Sequence, residues 1–98
     1  MRRYELAPDA RRDLPEIVAY YRANAGKSVA QRTVAAIHDR CRMIAETPGM
    51  IGQRRDEIRS GLRSFPVPPH IIFFRFAGNT VEILRIVHGR RELRPDMF

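Results

Sequence analysis

The stretch Leu62-Arg63-Ser64-Phe65-Pro66-Val67, the run Ile71-Ile72-Phe73-Phe74-Arg75-Phe76, the pair Gly78-Asn79 and the run Thr80-Val81-Glu82-Ile83-Leu84-Arg85-Ile86-Val87-His88 decide the fold. Aromatic and β-branched side chains crowd the two later runs, and such residues fit a pleated, half-buried surface. Gly78-Asn79 can reverse the chain within two residues, so these runs are predicted to form a hairpin. Leu62 to Val67 is apolar at alternate positions and reads as a shorter strand. Pro66 has no N–H for a ladder, which puts that strand at an edge or near a break. Both later strands are apolar on both faces for much of their length. That predicts a central position, with helices covering one face.

The helices lie upstream. Ala10, Leu14, Ile17, Val18 and Tyr21 recur at helical spacing after Pro8, which fits a first helical turn because its missing N–H costs nothing there. Pro15 is discordant inside this pattern and predicts a kink, or a later start with Asp13 as the cap. Ala25-Gly26 ends the helix. Ser28 and Gln31 form a predicted capping box for a second helix, striped by Ala30, Val34, Ile37, Cys41 and Ile44 and stopped by Pro48-Gly49. So short a connection makes the pair antiparallel. Arg3 to Leu6 adds a short N-terminal strand. The predicted class is α+β: a short strand, then an antiparallel helical hairpin packed on an antiparallel sheet of three to four strands, all in one domain over residues 1–98.

Composition narrows the function. No apolar run approaches the roughly 20 residues that cross a bilayer. Met1-Arg2-Arg3-Tyr4-Glu5-Leu6 lacks a signal-peptide core, so a cytoplasmic protein with no membrane partner is expected. Cys41 is alone, which excludes an internal disulfide and a cysteine-based metal site, and its place in an apolar stripe predicts a buried thiol. No metal or cofactor is expected. The net charge of +7 and pI near 11 favour an acidic partner, and every positive side chain except Lys27 is arginine, whose planar fork suits carboxylates and phosphates. An arginine-rich codon bias gives the same composition, so charge alone leaves nucleic acid and protein both open.

Particular residues carry more. Arg85 interrupts an apolar strand between Leu84 and Ile86, where an unpaired charge is expensive, so it faces a partner, a pocket or a buried acid. Arg63, Arg75 and Arg85 lie on neighbouring predicted strands and can converge on one phosphate, or else Arg63 and Arg75 pair with Glu82 or with backbone carbonyls. His88, at the end of the last strand, can serve as proton carrier or as an ordinary structural histidine, and Glu57 is a candidate base. Arg90, Arg91 and Arg94 make the C-terminal segment cationic, as a frayed tail or as a surface offered to a target. Tyr20-Tyr21 reads as packing within the hairpin, not as a stacking platform.

Five local words join these elements: Tyr4-x-Leu6-x-Pro8-x-Ala10-x-x-Asp13-Leu14-x-x-Ile17, Thr47-Pro48-Gly49, Gly61-Leu62-Arg63-Ser64-Phe65, Ile72-Phe73-Phe74-Arg75 and Val81 to Arg91. In this order they resemble the ParE branch of the RelE/ParE toxin superfamily across nearly the whole chain. The resemblance implies the toxin half of a bacterial type II toxin–antitoxin pair, silenced in a hetero-oligomer by a ParD-like antitoxin with an acidic tail. ParE-type members are associated with poisoning DNA gyrase, and RelE-type relatives cleave mRNA on the ribosome. For a ParE-type toxin, Arg75, Arg85, His88, Arg90 and Arg91 are the expected target surface. Arg11, Arg12, Arg63, Phe65 and Val67, around the groove between hairpin and sheet edge, are the expected antitoxin surface. A metal-independent ribonuclease would rely on Arg63, Arg85 and His88. RelE-like enzymes have lysines before the meander and a tyrosine near the C-terminus; here the connector offers Arg54, Arg55 and Arg59, and no tyrosine follows Tyr21. Arginine holds a phosphate but stays charged and transfers protons poorly. Gyrase inhibition without catalysis is therefore the leading expectation and mRNA cleavage the alternative. A bare nucleic-acid-binding module ranks below both, because no helix-turn-helix or zinc-finger pattern is present.

Overall fold

A computed structural model describes residues 1–98. In chain order it contains β1 (Arg3–Leu6), α1 (Pro8–Ala25), α2 (Lys27–Glu46), β2 (Gln53–Arg54), β3 (Arg63–Val67), β4 (His70–Ala77) and β5 (Thr80–His88), then a short 3₁₀ turn, Pro95–Met97. The strands form one sheet in the order β1-β5-β4-β3-β2. The meander from β2 to β5 is antiparallel, whereas β1 lies parallel beside β5 with Tyr4 opposite Val81. The α+β class and the hairpin-on-sheet arrangement follow the sequence reading. The fifth strand, drawn from the polar connector, and the parallel edge pair were not legible there.

The helix ends depart from the expected capping. Gly26, at φ 94°, caps both helices, so the reversal takes a single residue. That positive φ suits glycine, and the tight reversal brings α2 in at Lys27, with Ser28 and Gln31 already inside its first turns and no side-chain cap bond. The predicted capping box is therefore absent. α1 is continuous from Pro8 through Pro15, so Asp13 is no cap. Asp13 and Ile17 flank Pro15 and are both buried against the sheet, which holds the helix together across the missing N–H.

One face of the sheet carries the main core. Ala10 and Ile17 from α1 and Ile37, Cys41 and Ile44 from α2 pack on Ile72, Phe74, Val81, Ile83 and Ile86. Burial pushes the Cys41 thiol up to about 12, so it behaves as a small apolar residue. The opposite face has its own cluster: Leu62, Phe73, Val87 and Met97, bordered by Ile58, Leu93 and Phe98. The sheet is thus covered on both faces, the second by the connector and the C-terminal segment. Phe98 packs on Phe73 with ring centroids 4.8 Å apart, and Met97 is buried. The C-terminus is docked, not frayed.

A bulge divides β5 between these cores. Pairing passes from Phe73 opposite Arg85 to Phe74 opposite Ile83, so the ladder takes in an extra residue at Leu84. Strict alternation would turn Ile83 and Ile86 to opposite faces. The extra residue lets both enter the helix-facing core, while Leu84 and Val87 enter the other.

Candidate functional site

The bulge also sets the direction of Arg85. Its Nε and Nη2 donate to the two Asp13 carboxylate oxygens at 2.8 and 2.9 Å, and the Ile86 amide donates to the same carboxylate at 2.9 Å. Nη1 reaches the Met97 carbonyl at 3.4 Å. Only 12% of the Arg85 side chain and 8% of Asp13 remain exposed, so this is a two-pronged ion pair largely out of water. The hydrogen bonds that Arg85 donates to Asp13 raise the guanidinium pKa above its already high ordinary value. Of the three fates open to Arg85 in the sequence, the buried acid is the one realised, and it ties α1, β5 and the C-terminal turn together.

The expected convergence of Arg63, Arg75 and Arg85 does not occur. Arg63 stands opposite Phe74 and donates to the Met50 and Gly52 carbonyls. Arg75 pairs with Glu82 at 2.8 Å on the exposed side, and Arg85 is turned inward. Neighbouring strands present these residues to different surroundings, so no three-arginine phosphate cage forms. Glu57 lies in the connector, 3.7 Å from Arg55, with no contact to His88.

A cleft of about 340 Å³ opens between α1 and the end of β5. His70 begins β4 directly opposite His88, with ring centroids 5.8 Å apart. Tyr21 meets His70 edge-on at 5.9 Å, and Tyr20 meets Tyr21 edge-on at 5.2 Å. His70 is buried, and its Nδ1 has no hydrogen-bond partner. Burial first, and the neighbouring His88 second, lower its pKa, so the ring is held neutral. His88 is exposed and accepts the Arg90 amide on Nδ1 at 3.1 Å. Arg90 and Arg91 are exposed and form no ion pair. Sequence reading found His88 and the arginines but missed Glu16, Tyr20 and His70 as their neighbours. The Gly78-Asn79 turn by itself registers His70 against Val87; the bulge at Leu84 shifts the ladder by one and brings His88 opposite, so no local signal named the pair.

The expected antitoxin surface is dispersed. Arg11 donates to the Leu6 carbonyl at 3.1 Å and Arg12 pairs with Asp9, both beside the β1 edge. Phe65 lies on β3 toward the other edge, under the Arg40 guanidinium at 5.5 Å, and Val67 is buried in the core. One-sided alternation in β3 explains the difference, because Val67 points inward to fill the space under α2. A shallow apolar groove instead runs along the hairpin past Leu14, Pro15, Val18 and Val34, flanked by Arg22 and Lys27. No helix is long and apolar enough to cross a membrane.

A helical hairpin laid over a mixed five-stranded sheet agrees with the RelE/ParE-like toxin fold that the sequence led us to expect. Residues 4–93 match the family described as ParE toxin of type II toxin-antitoxin system, parDE, and the chain belongs to that family. Toxin ParE1 of Caulobacter vibrioides is 35% identical over 97 residues, covering 99% of each chain. Toxin ParE3 of the same organism is 33% identical over 85 residues, covering 87% of this chain and 84% of that one. A solved chain described as the chromosomal ParDE TA system from P. aeruginosa shares the fold, with a TM-score of 0.77 at 24% identity, over 90% of this chain and 95% of that one.

Proposed function

We propose that this ParE-family toxin inhibits DNA gyrase without catalysing a reaction, and that a ParD-like antitoxin neutralises it. The observation that carries the non-catalytic reading is the Asp13–Arg85 pair. It occupies the one strand arginine that a phosphate-cleaving site would need next to His88. No lysine stands by for proton transfer, since the single one is Lys27 at the start of α2, and the tyrosines that share the cleft with His88, Tyr20 and Tyr21, come from α1 and not from the C-terminal segment where RelE-like enzymes carry theirs. The net charge of +7 supports an acidic partner.

The target surface is proposed to be the exposed end of β5, with His88, Arg90 and Arg91 in contact and Arg85 as an internal brace, and Arg75 is proposed to meet the target separately, beside Glu82 toward the other end of β5. The antitoxin is proposed to lay an acidic, amphipathic helix in the hairpin groove. There Leu14 and Val18 supply apolar contact, Arg22 and Lys27 supply charge, and Arg11 extends the same face of α1 by one turn. Purified toxin added separately to a gyrase supercoiling assay and to a cell-free translation assay tests the reading. Inhibited supercoiling with intact mRNA is the expected result. Cleaved mRNA with normal supercoiling would replace it with ribosome-dependent ribonuclease activity and make His88 the proton carrier to test.

A further inference from the structure

The cleft beside His88 has features that inhibition by charge alone does not need. Its floor is apolar, with Ile17 and Ile86. Tyr20 stands at its rim 62% exposed, and a large ring held in water beside an apolar floor is typical of a contact surface. Buried His70 also lines the cleft. Charge around the rim is mixed: His88 and Arg91 lie on one side, Glu16 on the other. A phosphate chain would be attracted by the first pair and repelled by Glu16. A peptide satisfies both, with a carboxylate toward Arg91 and an N–H toward Glu16. The volume of about 340 Å³ lies at the small end of ligand sites and suits one large side chain with its backbone, not an extended ligand.

We infer that this cleft is the seat for a single aromatic or aliphatic anchor residue of the toxin's protein target, flanked in the target by a carboxylate. The inference rests on the reading above that the target is a protein, DNA gyrase. The anchor packs on Ile17 and Ile86 beneath Tyr20 and sets the carboxylate against Arg91 and His88. The cleft uses the face of α1 that carries Ile17 and Tyr20, while the hairpin groove uses the face that carries Leu14 and Val18. Damage to the cleft therefore spares the antitoxin.

The test compares Tyr20→Ala, Arg91→Glu and the conservative Tyr20→Phe in the full chain, each measured for gyrase affinity and for affinity to the co-encoded antitoxin. Tyr20→Ala and Arg91→Glu are expected to weaken gyrase binding by about tenfold or more, with antitoxin affinity unchanged and Tyr20→Phe close to the parent. Gyrase binding at parental strength in both damaging variants would overturn the inference and leave the gyrase reading intact. A parallel loss of antitoxin affinity would overturn it by making the cleft an antitoxin seat. Tight binding of a single-stranded oligonucleotide that Tyr20→Ala abolishes would overturn it in favour of a nucleic-acid seat. A parent toxin that does not bind gyrase at all would instead remove the reading on which it rests.

Discussion

Asp13 and Arg85 lie 72 positions apart in the chain, yet one carboxylate holds a guanidinium by two hydrogen bonds and a backbone amide by a third. Removing one partner of a buried pair leaves an uncompensated charge, which costs more than the intact pair contributes. Asp13→Ala is expected to destabilise the fold by about 3–5 kcal/mol, read from the urea unfolding midpoint. Asp13→Leu combined with Arg85→Met removes both charges and is expected to recover most of that loss. A double variant as unstable as Asp13→Ala would refute the ion-pair account. At this scale the sequence was half legible. An arginine between Leu84 and Ile86 demands a partner, and that demand is visible in the residues. Which acid answers it is set by how α1 lies across β5, which no local pattern encodes.

At the level of elements, strand identity followed from local chemistry, whereas the junctions and the bulge did not. β5 runs from Thr80 to His88 as its residues predict, but the extra residue at Leu84 depends on two cores competing for its side chains. Gly26 displaced the predicted capping box because a one-residue reversal left Ser28 inside the helix. Pro15 is the clearest conflict between element and residue. It sits exposed within a continuous α1 and deprives the Arg11 carbonyl of its usual donor. Pro15→Ala restores that donor and is expected to stabilise the protein by about 1 kcal/mol or more, after the greater freedom it returns to the unfolded chain is set against the gain. For a domain of this size that raises Tm by about 4–8 °C, measured by thermal unfolding. An unchanged or lower Tm would mean that the helix depends on the proline for its path over the sheet.

For the molecule as a whole, the decisive feature is that both faces of the sheet are closed. The hairpin covers one face, and the C-terminal segment covers the other through Met97 and Phe98 against Phe73. The second cluster is small, so each member matters. Met97→Ala is expected to cost about 2 kcal/mol, since it opens a cavity at the edge of that cluster and loosens the carbonyl that Arg85 Nη1 approaches. Urea unfolding measures the loss, and a midpoint equal to the parent's would show that the segment is a passenger. The sequence by itself determined the α+β class, the helical hairpin, the three long strands and the excess of positive charge. These follow from side-chain periodicity, turn chemistry and charge count, which act over a few residues. Tertiary structure alone decided the parallel seat of β1, the inward turn of Arg85, the docking of the C-terminus and the meeting of His70, His88 and Tyr20 in one cleft. Each of these depends on how distant surfaces close over one another, and burial, not local preference, chooses among the ways they can.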